Sequence, residues 1–132
     1  MPQIVKIYPF FQKMFEMETD PEIEHTLYSG DWNISISQQM DTHRYLHENN
    51  THNCDFVKNK IIEYELNDVW RERNPFETNF TFMKKQANNT TEARLDFLLT
   101  RQKTLGYIEA IRIDNLTSLS DHRPISFTIA KN

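Results

Sequence analysis

The sequence predicts an α/β (α+β) domain of mostly antiparallel strands with two main helices, and three observations predict it. Two stretches in the first half, Phe10 to Met17 and Asn53 to Glu65, carry apolar residues at helical spacing. Short runs rich in β-branched and aromatic residues recur along the chain and dominate the second half. Those late runs follow one another as a meander separated by turn signals and polar loops.

Ile4 to Tyr8 reads as a strand that Pro9 ends. Phe10, Phe11, Met14, Phe15 and Met17 then fall on one side of an amphipathic helix, with Gln12, Lys13, Glu16 and Glu18 on the other. After the polar break Thr19-Asp20-Pro21-Glu22, a short strand from Thr26 to Ser29 delivers Gly30-Asp31-Trp32-Asn33 at its end. Gly30 permits the backbone to turn where a side chain must be aimed. From Ser35 to Asn53 the chain is polar and aperiodic, and reads as solvated loop. His43 and His47 have the spacing of metal ligands on a helix face, but no Glu follows His43 and His52 adds no pattern.

The second helix, Asn53 to Glu65, has a stripe of Cys54, Val57, Ile61 and Tyr64, with Phe56 and Ile62 at its edges and Thr51 or Asn53 as its cap. Cys54 reads as a small buried side chain of that stripe. Leu66 to Arg71 leaves the helix and reaches the turn signal Asn74-Pro75. Phe80 to Met83 is a strand, Gln86 to Glu92 a polar hairpin loop, and Ala93 to Thr100 an apolar strand interrupted by Asp96. Tyr107 to Ile113 and Pro124 to Ile129 complete the strands. With 132 residues and no repeat or linker composition, the expectation is one domain, residues 1–132.

A chain with 38% hydrophobic and 26% charged residues is neither disordered nor membrane-embedded in composition. No apolar run approaches the roughly 20 residues of a spanning helix, and no signal-like segment follows Met1, so the expected compartment is intracellular, the nucleus included. Cys54 is the only cysteine and cannot close an internal disulfide. The net charge of −4 excludes attraction to a polyanion by the overall field, so any nucleic-acid contact must be local. Its candidates are Arg71, Arg73, Lys84, Lys85, Arg94, Arg101, Lys103, Arg112 and Arg123.

Three polar positions carry the chemistry. Asp96 stands in an apolar strand and requires a partner. Arg94 is one candidate; His122 is the other, its ring oriented by Asp96 so that the second nitrogen meets a reacting oxygen. Asp31 and Asn33 alternate to one side of a strand end, a carboxylate able to activate water or hold a hard cation beside an amide able to hold an oxyanion. Asp121-His122 precedes the last strand. A phosphodiester requires this inventory: a divalent ion, a group that orients water and a stabiliser of developing charge.

Gly30-Asp31-Trp32-Asn33, Leu66-Asn67-Asp68-Val69-Trp70-Arg71 with Asn74-Pro75 and Phe80-Thr81-Phe82, Arg94-Leu95-Asp96-Phe97, and Ser120-Asp121-His122-Arg123-Pro124-Ile125 resemble the ordered motifs of the endonuclease/exonuclease/phosphatase superfamily. Within it the sequence is most similar to the endonuclease domain of LINE-type non-LTR retrotransposons, itself similar to apurinic endonucleases. The resemblance runs from about Tyr8 to Thr128 and implies a DNase I-like two-sheet α/β sandwich with Mg²⁺- or Mn²⁺-dependent phosphodiesterase activity on DNA. By motif, Asp31 would activate water, Asn33 would hold the phosphate, and Asp96 would orient His122 at the scissile phosphate. Asp31, Asn33 and Asp121 would face the metal. Trp70, Arg71, Thr81 and Arg94 would form the substrate-facing segment.

Family domains are about twice this length, and their first half carries an early Asn, the principal metal-binding Glu and a catalytic Tyr region. The resemblance therefore covers the carboxy-terminal half. The segment Tyr8-Pro9-Phe10-Phe11 is contracted, so the catalytic tyrosine is not carried onto Tyr8. Two outcomes stand side by side: an endonuclease completed by an amino-terminal half or by a second copy in a homodimer, or an inactive remnant or interaction module without the principal metal ligand. A phosphatase acting on a small phosphoester shares the motifs, and Asp68-Val69-Trp70-Arg71 with the nearby basic residues tilts away from it.

Overall fold

The computed structural model describes residues 13–45, 51–115 and 121–130. The expected strand from Ile4 to Tyr8, the start of the first helix at Phe10, and His47 and Ser120 lie outside the described residues. In chain order the strands are β1 (Tyr28–Asp31), β2 (Thr42–His43), β3 (Leu66–Asp68), β4 (Phe82–Gln86), β5 (Asn89–Ala93), β6 (Asp96–Arg101), β7 (Ile108–Ile113) and β8 (Ile125–Ile129). The α-helices are α1 (Gln38–Asp41), α2 (Thr51–Glu63), α3 (Val69–Arg73) and α4 (Gln102–Leu105).

Strand β6 is the centre because its run Phe97-Leu98-Leu99 is apolar in both parities of the pleat and is buried on both faces. β1 and β3 flank it, both antiparallel, with Tyr28 opposite Leu99 and Asp31 opposite Asp96. On one face Phe97 and Leu99 meet Phe15, Trp32, Ile34 and, from α2, Cys54 and Val57. Trp32 stacks on Phe97 at 5.1 Å and donates its indole N–H to the Phe97 carbonyl at 3.1 Å. On the other face Leu98 meets Val69, Leu105 and Ile108, with Ile111 and Phe127 of the β7–β8 pair packed against them. Each fully buried side chain of this size contributes about 1.5–3 kcal/mol of transfer free energy.

A second layer is stitched together from two hairpins. β2, β5 and β4 form one antiparallel sheet and β7 and β8 another. Phe82 bridges His122, the Met83 N–H donates to the Asp121 carbonyl at 2.9 Å, and the Arg123 N–H donates to the Thr81 carbonyl at 2.6 Å. The result is the expected α/β class, two layers of mostly antiparallel strands with helices outside. Among the described residues no helix is long and apolar enough to cross a membrane.

The differences from expectation are local. Gln86 to Glu92 is not a loop but the tip of the β4–β5 hairpin, turning at Ala87, whose φ is 36°. Lys84 to Asn89 are exposed, so no apolar alternation marks these strands. Within Ser35 to Asn53 lie α1, capped by Ser37 accepting from the Met40 N–H at 3.2 Å, and β2. Residues 13–15 are helical but tighten into a 3₁₀ turn, Glu16–Thr19, and the shorter period turns Met17 outward. Thr51 already opens α2, so Asn53 lies inside the first turn rather than capping it.

Candidate active site

Three elements bring Asp31, Asp96 and His122 together. Asp31 ends β1, and its left-handed neighbours shape that end: Gly30 at φ 144°, a conformation side chains disfavour, and Asn33 at φ 54°. The space beside Gly30 is open, so its requirement is conformational and not steric. The Asn33 N–H donates to Asp31 Oδ1 at 2.9 Å, an Asx turn that holds the carboxylate. Asp96 opens β6 directly opposite Asp31. His122 is set by the bridge to Phe82, whose ring meets the imidazole edge-on at 5.3 Å.

Ligand atoms of these three side chains all lie within 4.8 Å of one another. His122 Nδ1 is 2.8 Å from Asp96 Oδ2, and Nε2 is 3.6 Å from Asp31 Oδ2. The imidazole thus stands between two carboxylates, one half-buried behind it and one exposed in front. Burial pushes the Asp96 carboxyl above its ordinary value, and hydrogen bonds from Thr81 and His122 pull it back only in part. Thr81 also fixes the backbone here: its Oγ1 accepts the N–H groups of both Leu95 and Asp96 at 3.0 Å.

Asn33 is exposed beside Asp31. Asp121 is exposed as well, its carbonyl engaged with Met83, and its carboxylate is not one of the three grouped ligands. Trp70, Thr81 and Arg94, expected in the substrate-facing segment, are buried in the interior. Arg94 is 1% exposed and binds Asp41 through Nε and Nη2 and Asp68 through Nη1 and Nη2. Its partners are these two acids and not Asp96: Arg94 and Leu95 lie between the end of β5 at Ala93 and the start of β6 at Asp96, so the same-face rule of one continuous strand does not hold across them. Arg71 donates to Asp41 at 2.6 Å and to the carbonyls of Asn74 and Glu77, clamping the loop after α3. Both guanidinium groups lie over the Trp70 ring, at 5.2 and 4.9 Å.

The partners of Arg94 that sequence reasoning missed are Asp41 and Asp68. Asp68 had a signal, since an acid directly before the apolar pair Val69-Trp70 needs a partner. Asp41 had none in its polar surroundings. Tyr45 lies edge-on to Phe82 at 5.9 Å. Of the basic candidates, Arg73 is tied to the carbonyls of Leu105 and Ile108, Arg101 to Glu18 and Arg112 to Asp114. Lys84 and Lys85 are exposed on β4.

No family model matches the sequence. The chain superposes on the 3′ phosphatase NExo from Neisseria, solved with a product DNA hairpin, with a TM-score of 0.74 and 15% identity, over 99% of this chain and 56% of that one. The chain shares the DNase I-like α/β fold of that structure. The endonuclease domain of TRAS1, a telomere-specific non-LTR retrotransposon, matches with a TM-score of 0.66 and 19% identity, over 96% of this chain and 52% of that one. An AP endonuclease from Archaeoglobus fulgidus matches with a TM-score of 0.67 and 19% identity, over 92% and 52%. In sequence the chain is 24% identical over 122 residues to the transposon TX1 uncharacterized 149 kDa protein of Xenopus laevis, a match spanning 92% of this chain and 9% of that protein. The chain therefore spans about half the length of these solved structures and a small part of the transposon protein.

Proposed function

We propose that the chain hydrolyses phosphodiester bonds of DNA in a metal-dependent reaction of the retrotransposon-endonuclease type. The observation that carries this reading is the line Asp96, His122, Asp31, with contacts of 2.8 and 3.6 Å on the two nitrogens of one imidazole. Asp96 accepts the Nδ1 proton and fixes the ring, leaving Nε2 turned toward the exposed carboxylate and the solvent side of the site. A phosphate seated there meets His122 Nε2, while Asp31 takes the proton of the attacking water. The water oxygen bonds to phosphorus as the ester bond to the leaving strand breaks, and the protonated His122 gives its Nε2 proton to the leaving oxygen, so one end keeps the phosphate and the other becomes a hydroxyl. Asn33 offers its amide to the phosphate from the turn beside Asp31.

The donor set fits a small hard cation. Mg²⁺ binds through one or two carboxylates together with water and substrate phosphate, and the exposed Asp31 carboxylate, with Asp96 and His122 close by and Asn33 on the adjoining turn, offers such oxygens; Asp121 would join it only on the expectation from the motif. When bound, Mg²⁺ or Mn²⁺ supplies neutralisation of the phosphate charge. On this reading the remaining ligands come from water, substrate and a second chain, either a complementing amino-terminal half or another copy, and a DNA substrate places the work in the nucleus. The similarity of fold to DNA-acting nucleases supports the substrate class.

Plasmid nicking tests the reading. Conversion of supercoiled to open-circular DNA is expected with Mg²⁺, is lost with EDTA, and is lost in Asp31→Ala and His122→Ala while their circular dichroism is unchanged. Metal-independent nicking, or nicking that survives both substitutions, sinks it.

A further inference from the structure

We propose that the outer edge of β8 is a dimerisation surface, on which a second copy of this chain lays its own β8 antiparallel about a two-fold axis at Phe127. The proposal goes beyond the nuclease reading and does not depend on it. β7 and β8 form a sheet of two strands, and among the described residues no strand pairs with the outer side of β8. An open edge presents unpaired N–H and C=O groups, and chains ordinarily guard it with charge, proline or brevity. The other edges are guarded in this way. β2 and β3 have two and three residues, β4 carries Lys84 and Lys85, and β1 ends at Asp31. The outer side of β7 is covered in part by Arg73, whose Nη2 donates to the Ile108 carbonyl at 2.7 Å. β8 reads Ile125-Ser126-Phe127-Thr128-Ile129, with no charge and no proline.

Two features select a second copy as the occupant. The first is which backbone groups face outward. The Asp114 N–H donates to the Pro124 carbonyl and the Ala130 N–H to the Tyr107 carbonyl, so the even-numbered positions turn their groups toward β7. By alternation Ile125, Phe127 and Ile129 turn theirs to the open side. The second is symmetry, since β8 reads the same in kind from either end. Antiparallel pairing centred on Phe127 sets Phe127 against its own copy and Ile125 against the partner's Ile129, and these are the pairs that exchange both N–H···O=C bonds. Ser126 then faces the partner's Thr128 in the closer, non-hydrogen-bonded pair, where two hydroxyls fit. The odd-numbered side chains share the face turned to the core. Phe127 packs there against the cluster around Leu98, whereas Ile129 is 51% exposed. Pairing sets an isoleucine beside Ile129 and continues that apolar face across the axis.

The test uses the full 132-residue chain in sedimentation equilibrium and in amide hydrogen exchange followed by NMR, each over a range of concentrations. A reversible dimer of the 15.9 kDa chain is expected. In the dimer the amides of Ile125, Phe127 and Ile129 exchange slowly, and on dilution they become fast. Those of Ser126 and Thr128, turned toward β7, are slow at every concentration. Ile129→Lys places a charge on the edge at an exposed position, so its monomer is expected to melt as the parent's does. Its dimer dissociation constant is expected to rise about ten- to a hundredfold, the loss of one buried isoleucine. A parent chain that sediments as a monomer throughout overturns the proposal. So does a dimer that Ile129→Lys leaves intact, or exchange at Phe127 that does not follow dilution. Slow exchange at Phe127 in a monomer assigns the edge to another segment of the same chain and overturns the second copy. None of these readouts involves cleavage, so failure of the nuclease reading leaves the proposal standing.

Discussion

Arg94 and Asp96 stand on either side of Leu95, and their charges are treated in opposite ways. Arg94 belongs to a closed network: Asp41 accepts from its Nε and Nη2, from Arg71 Nη2 and from the Ser37 N–H, and Asp68 accepts from Arg94 while capping α3. Burial works to raise the Asp41 carboxyl, yet Arg94 and then Arg71 hold it below its ordinary value. Burial likewise works to lower Arg94, and Asp68 and Asp41 push it up instead. At Asp96 the balance falls the other way, and burial wins over Thr81 and His122. The first cluster spends its hydrogen-bonding capacity on itself and can only support. The second keeps an exposed carboxylate in front of a ring nitrogen, and can act on something else.

The largest expected effect comes from opening the closed network. Arg94→Met leaves Asp41 and Asp68 buried without their common partner and should cost about 3–5 kcal/mol in urea unfolding. His122→Ala should cost under about 1 kcal/mol of stability, since its ring is partly exposed, while nicking falls by about 10²–10⁴-fold. If instead Arg94→Met leaves stability unchanged, or His122→Ala unfolds the chain, the division into a supporting and a working cluster is wrong.

Much of this division was legible in the sequence. β6 announced itself as an apolar run, and the lone acid at its head demanded a partner, which is His122 at 2.8 Å. Gly30-Asp31-Trp32-Asn33 gave the site its second wall, because a left-handed Asn after an Asx turn is a local preference. The partners of Arg94 were not legible. Asp41 lies 53 positions away in a polar stretch, and nothing local distinguishes an acid that will be buried from one that stays wet. The second strand of the β4–β5 hairpin was read as its loop because Lys84 to Asn89 are exposed and Thr90, Thr91 and Glu92 are polar and only half-buried, so hydrophobic alternation vanishes. Non-local pairing decided the first place and polar composition the second.

A smaller effect is expected at Thr81, the hinge between the clusters. Thr81→Val keeps the shape and removes the oxygen that accepts the Leu95 and Asp96 N–H groups. The loss in urea unfolding should be about 1–3 kcal/mol, the cost of buried donors left unpaired. Because Asp96 then loses a backbone anchor as well as a side-chain partner, nicking should fall more than stability alone explains. Unchanged nicking at a temperature where the variant is fully folded would make Thr81 a packing residue only.

The finest separation is in the pH dependence of stability, where the two carboxylates should give slopes of opposite sign. Asp41 has a folded pKa below the ordinary value of 3.8, so its stabilisation is present above 3.8 and is lost as pH falls through the lowered value. The advantage of the parent over Asp41→Asn should therefore grow with pH below 3.8 and be flat above it. Asp96 has a folded pKa above 3.8, so its contribution is full below 3.8 and is lost as pH rises through the raised value. The advantage of the parent over Asp96→Asn should therefore be flat below 3.8 and shrink above it. Urea unfolding of the three proteins from acid to neutral pH reads both slopes on one scale. Slopes of the same sign would mean that Asp96 is as well satisfied as Asp41, and that the working cluster is closed like the supporting one.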